Sequence, residues 1–187
     1  MSMCNRWPHA LACLIGLGWI LACSGVHSGS PPADRYGFGH PPTDGEVAAW
    51  NIDIAPTGEG LPPGRGTAGE GAPIYAAKCA GCHGQTGIEG PMPRLVGGQG
   101  TLASDHPIKT VGSYWPYATT IYDYVRRTMP YSAPQSLTSD ETYAVTAWLL
   151  FRNGIIAENA VIDARTLPAV QMPNRKGFVA DRRPDVH

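Results

Sequence analysis

The chain has 187 residues, a net charge of -1 and a hydrophobic fraction of 43%, which leaves room for one modest domain with extensions. Lys and Arg nearly balance Asp and Glu, so there is no broad basic surface for a phosphate backbone, and nucleic acid is not expected as a partner. Gly and Pro make up more than a fifth of the residues, so long stretches must be loop or extended strap around a small helical core.

Residues 1–23 read as an export signal. A short start bearing Arg6 leads into an apolar run from Ala10 to Ala22, too short to span a bilayer comfortably. The run ends in Ile20-Leu21-Ala22-Cys23, similar to a lipoprotein box in which Cys23 would be lipidated and held at a membrane. Leu21 is not the usual small residue there, so ordinary cleavage before Ser30 stands as the alternative, and a retained anchor as a third. Either of the first two places the mature chain in the periplasm.

Residues 24–68 form a Gly- and Pro-rich extension, with stretches such as Gly58-Glu59-Gly60-Leu61-Pro62-Pro63-Gly64 that cannot sustain a helix. One exception is Thr43, followed three residues later by Glu46. This is a capping box ahead of Val47, Ala48, Ala49 and Trp50, and it predicts a short helix docking its Trp on the domain. The alternative is a loop with a buried Trp.

A domain is expected over 69–154. Its first helix runs from about Glu70 to Cys79, with Ile74, Tyr75 and Lys78 at helical spacing and strong formers at Ala76-Ala77. A Gly- and Pro-rich loop follows His83. A second helix spans about 117–128 after Pro116, and a last one begins after Thr138, capped with Glu141, and stops at Asn153-Gly154. The arm 155–187 is polar and Pro-punctuated beyond Leu167, and is expected along the surface.

Cys4, Cys13 and Cys23 belong to the leader, so Cys79 and Cys82 are the one pair in the mature body and no disulfide framework is available. Cys79-Ala80-Gly81-Cys82-His83 fits the signature of c-type haem attachment: two thiols form thioethers to the haem vinyl groups and the adjacent imidazole ligates iron. The two intervening residues let both sulfurs reach one haem edge, and both are small. A zinc knuckle would need further thiol or imidazole ligands at short spacing. A thioredoxin-like pair would sit in a strand-helix unit, not at a helix end followed at once by His.

The sixth iron ligand separates an electron carrier from a catalyst, because an open position binds small molecules. Met129 is favoured, sitting after a helix and far enough downstream to return to the opposite haem face. Met92 lies too close to His83, Met172 is in the irregular tail, and His40 and His106 lack a comparable setting. A thioether favours ferrous iron and raises the potential.

Gly71, Tyr75, Cys79, Cys82, His83, Pro93-Arg94-Leu95, Met129, Val145 and Trp148 together resemble the class I cytochrome c pattern. That resemblance implies an all-α fold, here with extended irregular N-terminal and C-terminal arms. It implies that Gly71 and Tyr75 cross Val145 and Trp148, that the Pro93 carbonyl accepts from the His83 imidazole, and that Leu95 packs on the haem. Gly112-Ser113-Tyr114-Trp115-Pro116-Tyr117-Ala118-Thr119, Met129-Pro130-Tyr131-Ser132-Ala133-Pro134, Asn153-Gly154-Ile155-Ile156 and Met172-Pro173-Asn174-Arg175 are similar to the cytochrome c subunit of bacterial sulfite or sulfane dehydrogenases of the sulfur-oxidation system. Some members of that family carry two haems, whereas this sequence has one attachment motif. The family setting makes Tyr114, Trp115 and Arg127 candidates for the haem propionates, against core or surface packing as the plainer role of each. Tyr131 and Trp148 are expected in the haem pocket or core.

The function implied is single-electron transfer beside a molybdenum-cofactor dehydrogenase subunit, with a downstream cytochrome or oxidase as acceptor and no substrate chemistry on this chain. An independent periplasmic carrier for another dehydrogenase or a terminal oxidase would share the haem motif. A peroxidase-like haem enzyme would need an open axial site. The N-terminal strap and the tail from Pro168 are expected to offer partner-binding surface.

Overall fold

The computed structural model describes residues 38–183. The leader 1–23, with Cys23, lies outside them, as do the last four residues of the C-terminal arm. The chain divides into a unit 1–43, whose described residues 38–43 form no regular element, and a second compact unit, Asp44–His187. The second unit holds helices α1 (Asp44–Trp50), α2 (Ala68–Lys78), α3 (Ala80–His83), α4 (Ala118–Thr128) and α5 (Ser139–Arg152). It also holds two-residue strands β1 (Arg65–Gly66) and β2 (Ile162–Asp163) and a 3-10 turn over Leu167–Ala169. Among the described residues no helix is long and apolar enough to cross a membrane.

Helix α5 organises the core. Thr138 and Glu141 close a capping box at its start, and every residue from Thr142 to Leu150 is buried, as befits a helix surrounded on all sides. Thr142 and Thr146 enter this interior because their hydroxyls donate to the carbonyls of Thr138 and Thr142, at 2.8 and 2.7 Å. Helix α2 crosses α5 at Gly71, where a β-carbon would stand 2.9 Å from Trp148 Cβ and closer still to the Ala144 carbonyl. The close neighbour is thus Ala144 rather than Val145, which lies buried one residue on. One turn along, Tyr75 stacks on Trp148 with ring centroids 3.6 Å apart and planes at 22°.

The start of α2 lies earlier than the sequence pattern predicts. Thr67 caps it, donating and accepting with Glu70 in a second capping box, so the helix begins at Ala68, and it ends at Lys78. Helix α1 does form, but none of its residues is buried and Trp50 is 87% exposed. The docked Trp is therefore corrected to a solvent-facing one.

The described stretches of both arms that belong to this unit contribute to its core. Ile54, Ile162, Leu167 and Met172 are buried in the core, each contributing about 1.5–3 kcal/mol by removal from water. Strand β1 pairs antiparallel with β2, Arg65 opposite Asp163 and Gly66 opposite Ile162. Tyr143 donates to Pro62 O at 2.9 Å, and Asn174 donates to Tyr114 O at 2.6 Å. The tail expected along the surface is thus pinned at Met172 and Asn174.

Tyr75 gives a pH test of the α2–α5 crossing. Its hydroxyl donates to Gly84 O at 3.0 Å, and burial pushes its pKa up to about 12, with the negative charge of Glu89 adding and Arg152 subtracting. The folded value exceeds the unfolded one of about 10, so this contribution is complete below pH about 10 and is lost as pH rises through about 12. Tyr75→Phe should lower stability at pH 7 by about 1 kcal/mol and flatten its decline between those values. Denaturant unfolding at pH 7 and across the alkaline range reads both, and an unchanged alkaline slope would assign the titration to another group.

Candidate haem centre

Helix α2 ends at Lys78, Cys79 N–H donates to Tyr75 O, and the chain turns directly into α3, so that Cys79, Cys82 and His83 lie on one helical turn. Cys79 is half-buried and Cys82 exposed. Burial pushes the Cys79 thiol up to about 11, with the neighbouring Cys82 raising it further and Lys78 opposing. Thiol-exchange pairs need a thiolate favoured at neutral pH, and Cys79 has the opposite environment.

His83 Nδ1 lies 2.9 Å from Pro93 O. A carbonyl only accepts, so the proton sits on Nδ1 and the Nε2 lone pair is free for a metal. The loop that carries Pro93 is tied at several points. Met92 N–H donates to Cys82 O at 3.0 Å, Gly87 N–H to Gly84 O at 3.2 Å, and Leu95 N–H to Gly87 O at 2.8 Å. Half-buried apolar residues Ile74, Cys79, Leu95, Trp115 and Met129 border the core cluster. Each keeps part of its apolar surface uncovered, as residues that pack on a flat hydrophobic group do. Two thiols on one helical turn and an imidazole oriented through Nδ1 suit a covalently held haem.

The family model for cytochrome c matches residues 68–151. A chain in the crystal structure of the sulfane dehydrogenase SoxCD from Paracoccus pantotrophus is 42% identical, with a TM-score of 0.72, over 81% of this chain and 75% of that one. The chain belongs to the class I cytochromes c of sulfur dehydrogenases. Among curated proteins no match is found. The cytochrome carries haem c at Cys79 and Cys82, and the iron supplies a one-electron couple when bound; the fold's own part is to orient the ligands and limit solvent around them.

The structure places the remaining candidate residues as follows. Met129 ends α4, half-buried against the core, and Trp115 lies edge-on to Tyr124 at 5.6 Å. The Arg127 guanidinium makes a two-point ion pair with Asp123 one turn back on α4. The Tyr114 ring meets Phe178 edge-on at 5.2 Å and Lys109 Nζ at 5.1 Å. Tyr131, expected in the pocket or core, is 86% exposed, while Trp148 is buried beneath Tyr75. Met92 is 52% exposed, and Met172 is buried in the core. Sequence reasoning missed the Tyr75 hydroxyl and the Asn153 amide. Asn153 was legible only as part of a helix stop.

Proposed function

We propose that this cytochrome is the haem subunit of a periplasmic sulfane dehydrogenase: it accepts electrons singly from a molybdenum-cofactor subunit that oxidises sulfane sulfur, and passes them to a downstream cytochrome or oxidase. The observation that carries this reading is the 42% identity with a chain of a sulfane dehydrogenase over most of both chains. Met129 is the sixth ligand in this proposal. It is a half-buried thioether at a helix end, backed by the core, and a closed axial site favours electron exchange over substrate chemistry. Substrate bonds are therefore made and broken on the partner. Export is part of the proposal, resting on the apolar leader and on covalent haem attachment outside the cytoplasm. Lipidation at Cys23 would add a membrane tether.

The tagged holo-cytochrome should recover a molybdenum protein from its native host, and the haem should become reduced on adding a persulfide-bearing peptide only while that partner is present. Reduction by sulfite instead would move the substrate from sulfane to sulfite. Absence of the partner, with haem staying oxidised until an unrelated donor is added, would leave an independent exported carrier.

A further inference from the structure

Asn153, the residue that ends α5, is buried and uses both ends of its amide. Its Oδ1 accepts from Gly97 N–H at 2.9 Å, and its Nδ2 donates to Leu95 O at 3.1 Å and to Leu149 O at 2.8 Å. These partners fix the orientation, since an N–H needs the oxygen and two carbonyls need the nitrogen. Its backbone carbonyl accepts from Gln99 Nε2 at 2.8 Å. On its other side lies Gly112, where a β-carbon would stand 2.7 Å from Asn153 Cβ and nearer still to the amide oxygen. Thr110, two residues before Gly112, donates its hydroxyl to Gly97 O at 2.6 Å. One amide thus clamps the loop that follows Pro93 between the end of α5 and the segment leading to Trp115.

We propose that Asn153 is a positioning residue for the haem iron: by holding Leu95 and Gly97 it fixes the Pro93 carbonyl against His83 Nδ1, and so sets the donor strength of the proximal imidazole. Pro93 is constrained upstream by Met92 N–H on Cys82 O and downstream by Leu95 N–H on Gly87 O. Only Arg94 separates it from the carbonyl that Asn153 holds. A hydrogen bond from Nδ1 increases imidazole basicity and so favours ferric iron. Loosening the clamp weakens that bond and shifts the couple toward ferrous iron. The inference rests on the haem assignment alone and is independent of which dehydrogenase the cytochrome serves.

The test is Asn153→Leu in the haem-loaded cytochrome, which keeps the branching and the heavy-atom count of the side chain, is bulkier, and removes every side-chain hydrogen bond. The expected result is a rise in reduction potential equivalent to about a tenfold change in the ferric–ferrous equilibrium, ~59 mV for one electron, together with a moved His83 Nδ1 proton resonance. A loss of packing alone would lower the melting temperature and leave both readouts where they were. An unchanged potential and resonance in the folded, haem-loaded variant overturns the proposal whatever the melting temperature does. Should Asn153→Leu fail to load haem, Asn153→Ser, smaller and still polar, takes its place: a raised potential with a moved resonance supports the clamp, and no change in either overturns it.

Discussion

Gly71→Ala should destabilise the cytochrome by about 3 kcal/mol, the upper part of the range for overpacking a close crossing, and should lower the yield of haem-loaded protein. Helix propensity points the other way, since Gly to Ala inside a helix gains about 0.5–1 kcal/mol. The crossing decides. The added carbon would stand 2.5 Å from the Ala144 carbonyl carbon and 2.9 Å from Trp148 Cβ, and those atoms belong to α5, whose residues from Thr142 to Leu150 are buried on all sides and have nowhere to retreat. Strand β1 brings Gly66 onto the same Ala144, so this stretch of α5 is closely approached at two points. Gly69→Ala is the control. It lies in the same helix with nothing within 4 Å of the added carbon, and should be neutral or stabilising by about 0.5–1 kcal/mol. Denaturant unfolding of the two variants separates backbone entropy from space. Equal behaviour would mean that α2 does not depend on the close approach. Haem loading is coupled to this because α2 delivers Cys79 directly into α3.

The parts of this fold that were legible in the sequence are those where one local signal dominates. Helix α5 announces itself through Thr138 and Glu141 at one end and Asn153-Gly154 at the other, with Gly154 at a φ of +67°. The haem-binding stretch is legible because its chemistry fixes its spacing. The start of α2 was hidden although the Thr67 and Glu70 signal is present, because Gly69, Gly71 and Pro73 make the same residues read as loop. The C-terminal tail was misread for a related reason, and the burial of Ile54 in the N-terminal extension went unseen for the same one. Gly and Pro rule out repeated backbone hydrogen bonding, but they do not prevent an extended strap from burying isolated apolar side chains, and Ile54, Leu167 and Met172 do so without any periodicity to detect. Exposure of single aromatics is equally invisible: Trp50 and Tyr131 carry large apolar surfaces that favour burial, yet they are 87% and 86% exposed. Asn153 shows the limit at the site itself. A helix-stopping Asn is ordinary in sequence, and its bonds to Leu95 and Gly97 depend on a return of the chain across more than fifty residues.

Met129→His should lower the reduction potential by on the order of 0.1 V or more, within the about 0.8 V that axial ligands command in haem proteins. A soft thioether stabilises ferrous iron, and a second imidazole, the stronger donor, stabilises ferric iron. Two other methionines make the prediction discriminating. Met172→Leu conserves volume in the core and should change stability by less than about 1.5 kcal/mol, leaving the potential and the thioether-to-iron absorption in place. Met92→Ala removes a side chain that is 52% exposed and should change neither. The three variants therefore separate ligation from packing, because only the residue that donates to iron can abolish the sulfur-to-iron band while the protein remains folded. Loss of that band in Met172→Leu and its survival in Met129→His would transfer the ligand role to the C-terminal arm. Survival of the band in all three would leave the sixth position to a donor other than these sulfurs, and with it would go the inference that a closed, Met129-ligated iron keeps substrate chemistry on the partner.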